Sequence, residues 1–342
     1  MIMYYVSGKI LKREELEEGY IAIEKDRIVE IGKGIPSEKP IATGYIVPTF
    51  MNAHTHVGDA FIRKKIEVLP RDLETLVAPP NGLKHRLLSE ASDDEVVDGI
   101  RDSLDLMIKN GTFFFCDFRE NGLKGLNLIK KALKGLPASP VLLSRPSKLV
   151  YDKEELNLLL KSSHGVGLSS ISDWEYEEIR KVAKHTKKKK KVFALHASER
   201  TREDIDLILD LKPDFLVHMV YATKSDLERV KEENIPVVVC PRSNVFFGLK
   251  PNLKLMQEVD VTILLGTDNA MISTPDVVEE VKWVKKHFKG FTVQKLLDMV
   301  TYLPRKIFGL SNPLFEKDSK TDFVVLDTKS LKPLFVSLAK GS

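Results

Sequence analysis

Two histidines separated by one residue, His54 and His56, follow an apolar run that covers residues 45–53. In an extended strand residues i and i+2 point to the same face, so both imidazoles can bind one metal ion there. Further residues of the metal-ligand or proton-transfer type come just after other strand-like runs, at His196, His218 and Asp268. The sequence therefore predicts that four separate strand ends supply groups to one site.

These strand ends belong to a regular alternation of strand-like and helix-like segments. With the strand that ends at His54, eight strands are predicted, the others near residues 112–117, 140–145, 165–170, 192–196, 214–218, 236–240 and 262–267. Helices are predicted near residues 122–135, 152–162, 173–187, 201–211, 223–233 and 276–288. Such an alternation predicts an α/β fold, a (β/α)8 TIM barrel, with its chemistry at the C-terminal ends of the strands.

The two ends of the chain are predicted to form a small flanking β-sandwich domain, from residues 1–44 and 320–342, beside a barrel over residues 45–319. The segments that favour this arrangement are short strand-like runs bounded by turn residues. They lie near residues 3–6, 20–23 and 28–31, and again at 321–327 and 335–338 after a helical stretch over 292–309.

Residues 57–90, which follow the histidine pair, are predicted to be irregular because they contain Pro70, Pro79 and Pro80. A long loop beside a ligand pair is typical of an active-site lid. Beyond it, Ser92 and Glu95 form a capping-box pattern that predicts a helix ending near residues 110–111.

Length and charge narrow the functional classes. The 342 residues are 43% hydrophobic, which allows one large core, and 53 basic against 49 acidic side chains predict no nucleic-acid partner. The lysine run at residues 187–191 is interpreted as a solvated helix end. Cys116 and Cys240 lie in apolar runs and are expected to be buried, reduced thiols. With no leader and no apolar run of about 20 residues, a cytoplasmic protein without membrane contact is expected.

Several segments together resemble the amidohydrolase superfamily, and within it the cytosine-deaminase-like branch of adenosine-derivative deaminases and chlorohydrolases. They follow the family's order over most of the chain. They are residues 48–56, Gly111-Thr112 with Cys116-Asp117-Phe118, His196-Ala197-Ser198-Glu199, His218-Met219-Val220, Cys240-Pro241-Arg242-Ser243-Asn244 and Leu265-Gly266-Thr267-Asp268-Asn269.

The resemblance implies one divalent metal ion, usually zinc or iron, with zinc expected first. The implied ligands are His54, His56, His196 and Asp268, while Glu199 and His218 are implied to handle protons without being primary ligands. Family members with two ions carry a bridging lysine at the end of strand four. Residues 165–170 contain no lysine here, so one ion is expected.

Three imidazoles and a carboxylate leave room at a divalent ion for a water, whose pKa can then fall to about 7. Asp268 can accept the water's proton, His218 can hold the hydroxide, and Glu199 can protonate a ring nitrogen. We therefore expect hydrolytic deamination of a small heterocyclic or amidine-like substrate. A cyclic amide hydrolase or chlorohydrolase uses the same metal chemistry, and a non-catalytic metal- or metabolite-binding barrel is the alternative from another class. A homo-oligomer is compatible with the sequence.

The substrate is less defined, because the His-Ala-Pro-Tyr-like segment that purine-type deaminases of this branch carry after strand four is replaced by residues 168–173. Arg119, Arg145 and Arg242 follow strands two, three and seven, where they can bind a substrate carboxylate or phosphate. The alternative is structural ion pairing with residues such as Glu120. The remaining histidines are interpreted as ordinary; they are His85, His164, His185 and His287.

Overall fold

The computed structural model describes residues 3–12, 15–312 and 315–338. Within them the strands are β1 (Met3–Lys12), β2 (Glu15–Glu24), β3 (Arg27–Gly32), β4 (Ala42–Pro48), β5 (Phe50–His56), β6 (Thr112–Arg119), β7 (Ser139–Ser144), β8 (Gly165–Leu168), β9 (Val192–Ala197), β10 (Phe215–His218), β11 (Val237–Val239), β12 (Ile263–Leu265), β13 (Asp268–Asn269), β14 (Asp322–Leu326) and β15 (Pro333–Leu338).

The α-helices are α1 (Ile62–Lys65), α2 (Leu73–Val77), α3 (Leu83–Glu90), α4 (Asp93–Lys109), α5 (Gly122–Leu133), α6 (Lys153–Ser162), α7 (Tyr176–Lys188), α8 (Ile205–Asp210), α9 (Lys224–Glu232), α10 (Pro241–Phe246), α11 (Leu253–Val259), α12 (Val277–His287), α13 (Val293–Asp298) and α14 (Tyr302–Ile307). Single 3-10 turns cover Val57–Asp59 and Ile171–Asp173. Among the described residues, none of these helices has the length and apolar character to span a membrane.

Nine parallel strands form a TIM-barrel-like α/β sheet in the order β12-β11-β10-β9-β8-β7-β6-β5-β13. β13 follows β12 almost directly along the chain and pairs with β5, with Asp268 opposite Thr55 and Asn269 opposite His56. The end of the series is thereby hydrogen-bonded to its beginning. The sheet's interior is filled by apolar side chains such as Met51 and Ala53, and by two buried, unpaired cysteines, as predicted.

The helices cover the outer face of this sheet. On α4, Ile100 and Leu104 pack in one cluster with Phe115 of β6. The predicted capping box starts this helix, because Ser92 Oγ accepts from the Glu95 backbone N–H while the Glu95 carboxylate accepts from that of Ser92. Two helices between β11 and β12 are not among the predicted ones, and the predicted helical stretch over 292–309 is divided into α13 and α14.

A second sheet of six strands, in the order β15-β14-β4-β1-β2-β3, combines both ends of the chain. β4 is parallel to β1 and antiparallel to β14, with Ile46 opposite Val325. The apolar run over residues 45–53 is therefore not one strand, since it is divided at Thr49 between the two sheets. The predicted domain boundaries and the second layer of a β-sandwich stay predictions.

The segment after the histidine pair is not the irregular loop that its prolines predict. Residues 62–90, here called the roof segment, contain α1, α2 and α3. Asp72 caps α2 by accepting from the backbone N–H of Thr75, and Leu76 and Leu88 are buried in the same cluster as α4. Short capped helices with apolar anchors thus hold this segment against the barrel.

Candidate metal centre and active site

The predicted metal ligands lie at the C-terminal ends of the barrel strands. His54 and His56 are at the end of β5, His196 is near the end of β9, and Asp268 begins β13. Parallel strands bring these ends to one rim of the barrel. His218, at the end of β10, and Asp268 have positive φ angles of 76° and 60°. This backbone conformation is uncommon for residues other than glycine and concentrates at functional sites.

The four predicted ligands converge on one point. One side-chain ligand atom from each of His54, His56, His196 and Asp268 lies within 4.8 Å of all the others. The Nε2 atoms of His56 and His196 are 3.3 Å apart, and Asp268 Oδ1 lies 3.3 Å from His54 Nε2 and 3.5 Å from His56 Nε2. Folding has therefore brought together three imidazoles and one carboxylate from three separated parts of the chain.

These donor atoms fit a divalent cation. His54 Nε2 and Asp268 Oδ1 are buried and make no hydrogen bond within the described residues, an expensive arrangement unless another group binds them. His196 Nδ1 lies 2.7 Å from the Leu168 carbonyl oxygen and His56 Nδ1 lies 2.8 Å from Glu120 Oε1. The hydrogen bond of His196 places its proton on Nδ1 and leaves its Nε2 lone pair for a metal, and the carboxylate beside His56 Nδ1 favours the same tautomer. Nitrogen and oxygen donors of this kind suit zinc.

A glycine permits this close assembly. Gly266 lies between β12 and β13, and a Cβ atom at this position would stand 2.8 Å from the backbone N of His54. Any side chain there would push β5 and the last strand apart. The Gly-Thr-Asp sequence thus brings Asp268 close enough to the first histidine pair.

A second group of side chains lies beside the ligands. His218 Nε2 is 3.4 Å from Glu199 Oε1, and the side-chain amide of Asn244 donates to that same oxygen and lies 3.2 Å from His218 Nδ1. Burial lowers the pKa of His218 to about 4, so its imidazole is neutral at neutral pH. Burial, with the nearby Asp268, raises the pKa of Glu199 well above its usual range. This carboxyl group can therefore carry a proton at neutral pH.

The pKa of Asp268 is shifted in the opposite direction from that of Glu199. Burial alone raises its pKa, but the adjacent imidazoles, His54 foremost, bring the pKa well below its usual value. Ser243 donates a hydrogen bond of 2.5 Å to Asp268 Oδ2, which leaves Oδ1 directed at the ligand group. Two buried carboxyl groups of the same site thus favour different protonation states, as acid and base roles require.

A cavity of about 60 Å³ opens over these groups and is bounded by the roof segment. His56, His196, Glu199, His218 and Asp268 form its floor side. The other lining residues are Leu73, Val77, Ala78, Pro79, Lys84, His85, Glu120, Arg145, Ser169, Ser170, Asp173, Arg200 and Asn269.

The three predicted substrate-binding arginines have different surroundings. Arg145 lines the cavity. Arg119 does not, because its guanidinium group is buried against Glu120 at 2.6 Å and packs where Gly58 has no side chain. Arg242 is bound to Glu280 and Thr274 outside the lining. Arg119 and Arg242 thus lie outside this lining and form structural ion pairs, and their role in substrate binding stays a prediction.

Some site residues escape sequence reasoning. Lys84 carries no motif, and its burial beside the site becomes visible only in the folded chain. Ser243 and Asn244 lie in the Cys-Pro-Arg-Ser-Asn segment, and their position just after the seventh strand is the one sequence signal that points to a role for them. His85, interpreted as ordinary, lines the cavity with Nε2 at 3.0 Å from the Val77 carbonyl oxygen. The other three histidines are absent from the lining; they are His164, His185 and His287.

Comparison with known proteins gives consistent matches. The sequence model described as the amidohydrolase family matches residues 45–342. An uncharacterized protein of Methanocaldococcus jannaschii is 38% identical over 289 residues, 79% of this chain and 74% of that protein. A 5-methylthioadenosine/S-adenosylhomocysteine deaminase of Caldicellulosiruptor saccharolyticus is 24% identical over 368 residues, 94% of this chain and 82% of that protein.

The fold also matches a solved structure. The crystal structure of Helicobacter pylori aminofutalosine deaminase in complex with methylthio-coformycin gives a TM-score of 0.71 at 17% identity. The match covers 95% of this chain and 92% of that chain. At this level of identity the likeness shows a shared fold.

Proposed function

The chain belongs to the amidohydrolase family, and we propose that it deaminates a small heterocyclic or amidine-like compound by metal-dependent hydrolysis of a carbon–nitrogen bond. The observation that carries this proposal is the contact between Glu199 and His218 beside the converging ligand group, with Oε1 and Nε2 3.4 Å apart. A site that only bound a metal would need neither group.

We assign the metal to His54, His56, His196 and Asp268, and propose zinc, with iron as the second choice, because the donors are nitrogen and oxygen. When bound, the ion supplies the acidity that turns a water molecule into a nucleophile at neutral pH. Asp268, whose pKa lies well below its usual value and which is therefore a carboxylate at neutral pH, can take the proton of that water. His218 Nε2 is buried, makes no hydrogen bond within the described residues, and can hydrogen-bond the attacking oxygen.

The protonated carboxyl group of Glu199 supports the next step. It donates its proton to the ring nitrogen beside the carbon under attack, so that the new carbon–oxygen bond forms without a full charge on the ring. Glu199, now a carboxylate, takes up the proton that the new hydroxyl group loses as the carbon–oxygen double bond forms and passes it to the amino group, and the proton taken up by Asp268 restores Glu199 for the next turnover. The carbon–nitrogen bond to that group breaks, and the products are ammonia and the corresponding oxo compound.

Arg145 suggests one feature of the substrate. Its side chain lines the cavity, and within the described residues no carboxylate forms an ion pair with it. The other two cationic side chains of the lining are already paired, Lys84 with Glu120 and Arg200 with Asp173. A half-buried guanidinium group with no ion-pair partner among the described residues favours an anion, so we propose that the substrate carries a carboxylate or phosphate.

Two related substrates test this feature. The variant Arg145→Gln should lose about 10- to 100-fold in kcat/KM on an anionic substrate, from the loss of a charged hydrogen bond, while a neutral analogue with the same ring changes little. Equal loss on both compounds would remove Arg145 from anion recognition and leave the deaminase assignment intact.

The reaction class is tested by an ammonia-release screen with metal-loaded protein. Amino-substituted pyrimidines, purines, pterins, triazines and guanidines are offered, each with and without an anionic substituent. We expect ammonia and the oxo product in equal amounts from one class. Chloride release from a chlorinated ring, or opening of a cyclic amide without ammonia, would assign a different reaction to the same site, and no turnover of any kind would favour a binding role.

A further inference from the structure

The roof segment sends one charged side chain into the base of the site. Lys84 of α3 is only 2% exposed, and its ammonium group is surrounded by three oxygen atoms. Nζ lies 2.6 Å from Glu120 Oε1 and 3.2 Å from Asp59 Oδ2, and it donates a 2.7 Å hydrogen bond to Asn269 Oδ1. With its donors occupied in this way, Lys84 is arranged to hold protein groups in place.

Each of these three oxygens belongs to a residue that either contacts a proposed metal ligand or lies within three residues of one in the sequence. Glu120 Oε1 also lies 2.8 Å from His56 Nδ1. Asn269 directly follows Asp268 in β13. Asp59 lies three residues beyond His56 and accepts a 2.9 Å hydrogen bond from the backbone N–H of Met271, just beyond β13. The ammonium group of Lys84 therefore connects the roof segment to two of the three chain segments that carry proposed ligands, the one with His56 and the one with Asp268.

Separating Lys84 from its buried partners would cost free energy and would disturb the residues around the proposed metal ligands. A buried charge is costly unless its partners are in place, so opening α3 would leave Glu120 and Asp59 buried with one cation fewer. Glu120 would retain Arg119, whose Nη2 lies 2.6 Å from Oε2, but its other oxygen would lose the contact that fixes it beside His56. Residues that orient a ligand imidazole typically change metal affinity 10- to 100-fold when mutated.

We propose that Lys84 is a positioning residue that couples closure of the roof segment to metal binding. This inference rests on the metal assignment of the proposed function. Coupling of this kind is reciprocal, so the metal must stabilise the closed roof by the same factor by which the closed roof tightens the metal.

The test combines Zn²⁺ affinity, measured by competition with a chelator, and hydrogen exchange of peptides from residues 73–90 with and without Zn²⁺. In the wild type, Zn²⁺ should slow exchange in these peptides. Lys84→Met should weaken Zn²⁺ binding about 10- to 100-fold and abolish the slowing. The matched control is Lys64→Met, because Lys64 lies on α1 of the same segment but pairs with Asp102 at the surface. It should retain both properties.

The wild-type measurements alone can overturn the proposal, so it does not depend on the folding of the variant. If Zn²⁺ binds and roof exchange is unchanged, the coupling is wrong and the metal assignment survives. If the wild type binds no Zn²⁺, the metal assignment and the coupling both fail. A Lys84→Met protein with wild-type affinity and wild-type slowing of exchange also contradicts the role of Lys84.

Discussion

Replacement of Glu199 by glutamine tests the proposed proton transfer most directly. The side chain is 11% exposed and contacts His218 and Asn244 without belonging to the main ligand group. Glutamine retains the size and can still accept from the Asn244 amide, but it cannot transfer a proton. The metal ligands are untouched, so the variant should bind metal normally.

The size of the effect follows from the role. A positioned proton donor contributes about 10²- to 10⁴-fold to rate, or roughly 3 to 5 kcal/mol of transition-state stabilisation. Because Glu199 would act twice, on the ring nitrogen and on the departing amino group, we expect a loss in kcat in the upper half of that range, about 10³- to 10⁴-fold.

The assay is ammonia release at saturating substrate, with metal content and thermal unfolding measured on the same preparation. Glu177→Gln is the matched control, since this carboxylate is exposed on α7 and pairs only with Arg180 in the described residues. Its kcat should equal that of the wild type. A Glu199→Gln protein that binds metal and retains more than about a tenth of wild-type kcat would refute the assigned role.

Three further outcomes are expected. A His54→Ala, His56→Ala double variant should lose bound metal in elemental analysis, whereas the wild type holds close to one ion per chain; full metal content in the variant would contradict the ligand assignment. Arg305→Met should lower the free energy of unfolding, measured in urea, by about 3–5 kcal/mol, because the buried guanidinium group pairs with Asp322 at 2.9 Å. Lys306→Met is the control, since this exposed neighbour forms no such pair among the described residues. The hydrogen bond from Arg202 lowers the pKa of Asp226 to about 2, below its ordinary value of about 4. The carboxylate therefore stabilises the fold above about pH 4, and this contribution is lost as the pH falls from about 4 to about 2. The stability difference between wild type and Asp226→Asn should shrink over that interval, and a constant difference would contradict the sign.

Local sequence signals were sufficient to predict that the four proposed ligand residues lie close together. His54, His56, His196 and Asp268 each follow a short apolar run, and the barrel topology then fixes that the ends of such runs meet. The capping box at Ser92 is equally local, since both partners lie within four residues. Where the deciding interaction is short-range or follows from topology, the sequence predicts it.

Pairings between residues far apart in the sequence could not be read from local patterns. Arg119 and Arg242 have the residue type and the strand-end position expected of substrate-binding groups, yet buried carboxylates take up both guanidinium groups. Lys84 shows the opposite case, because nothing in its own stretch marks it as a site residue. Its partners Glu120 and Asn269 are 36 and 185 residues away in sequence. Local patterns do not encode such partners.

The division of the apolar run at Thr49 has a similar cause. Residues 45–53 look like one strand, but Arg305 Nη2 hydrogen-bonds the backbone carbonyl of Thr49 at 3.0 Å and its side chain at 2.7 Å. The guanidinium group also pairs with Asp322 of β14. This buried arginine therefore holds the chain where it passes from the terminal sheet into the barrel, and the Arg305→Met variant probes that junction.

The site offers two groups of metal-ligand type, and they share Asp268. One is the group of His54, His56, His196 and Asp268, and the other consists of Glu199, His218 and Asp268. In the second group Asn244 lies between the other two residues, donating to Glu199 and contacting His218 Nδ1. A carboxyl group whose pKa is raised by burial holds its proton and is a poor ligand, since metals bind the deprotonated form. The polar contacts of the second group therefore favour proton transfer over a second cation, which agrees with one ion per chain and with an acid placed beside the attacking water.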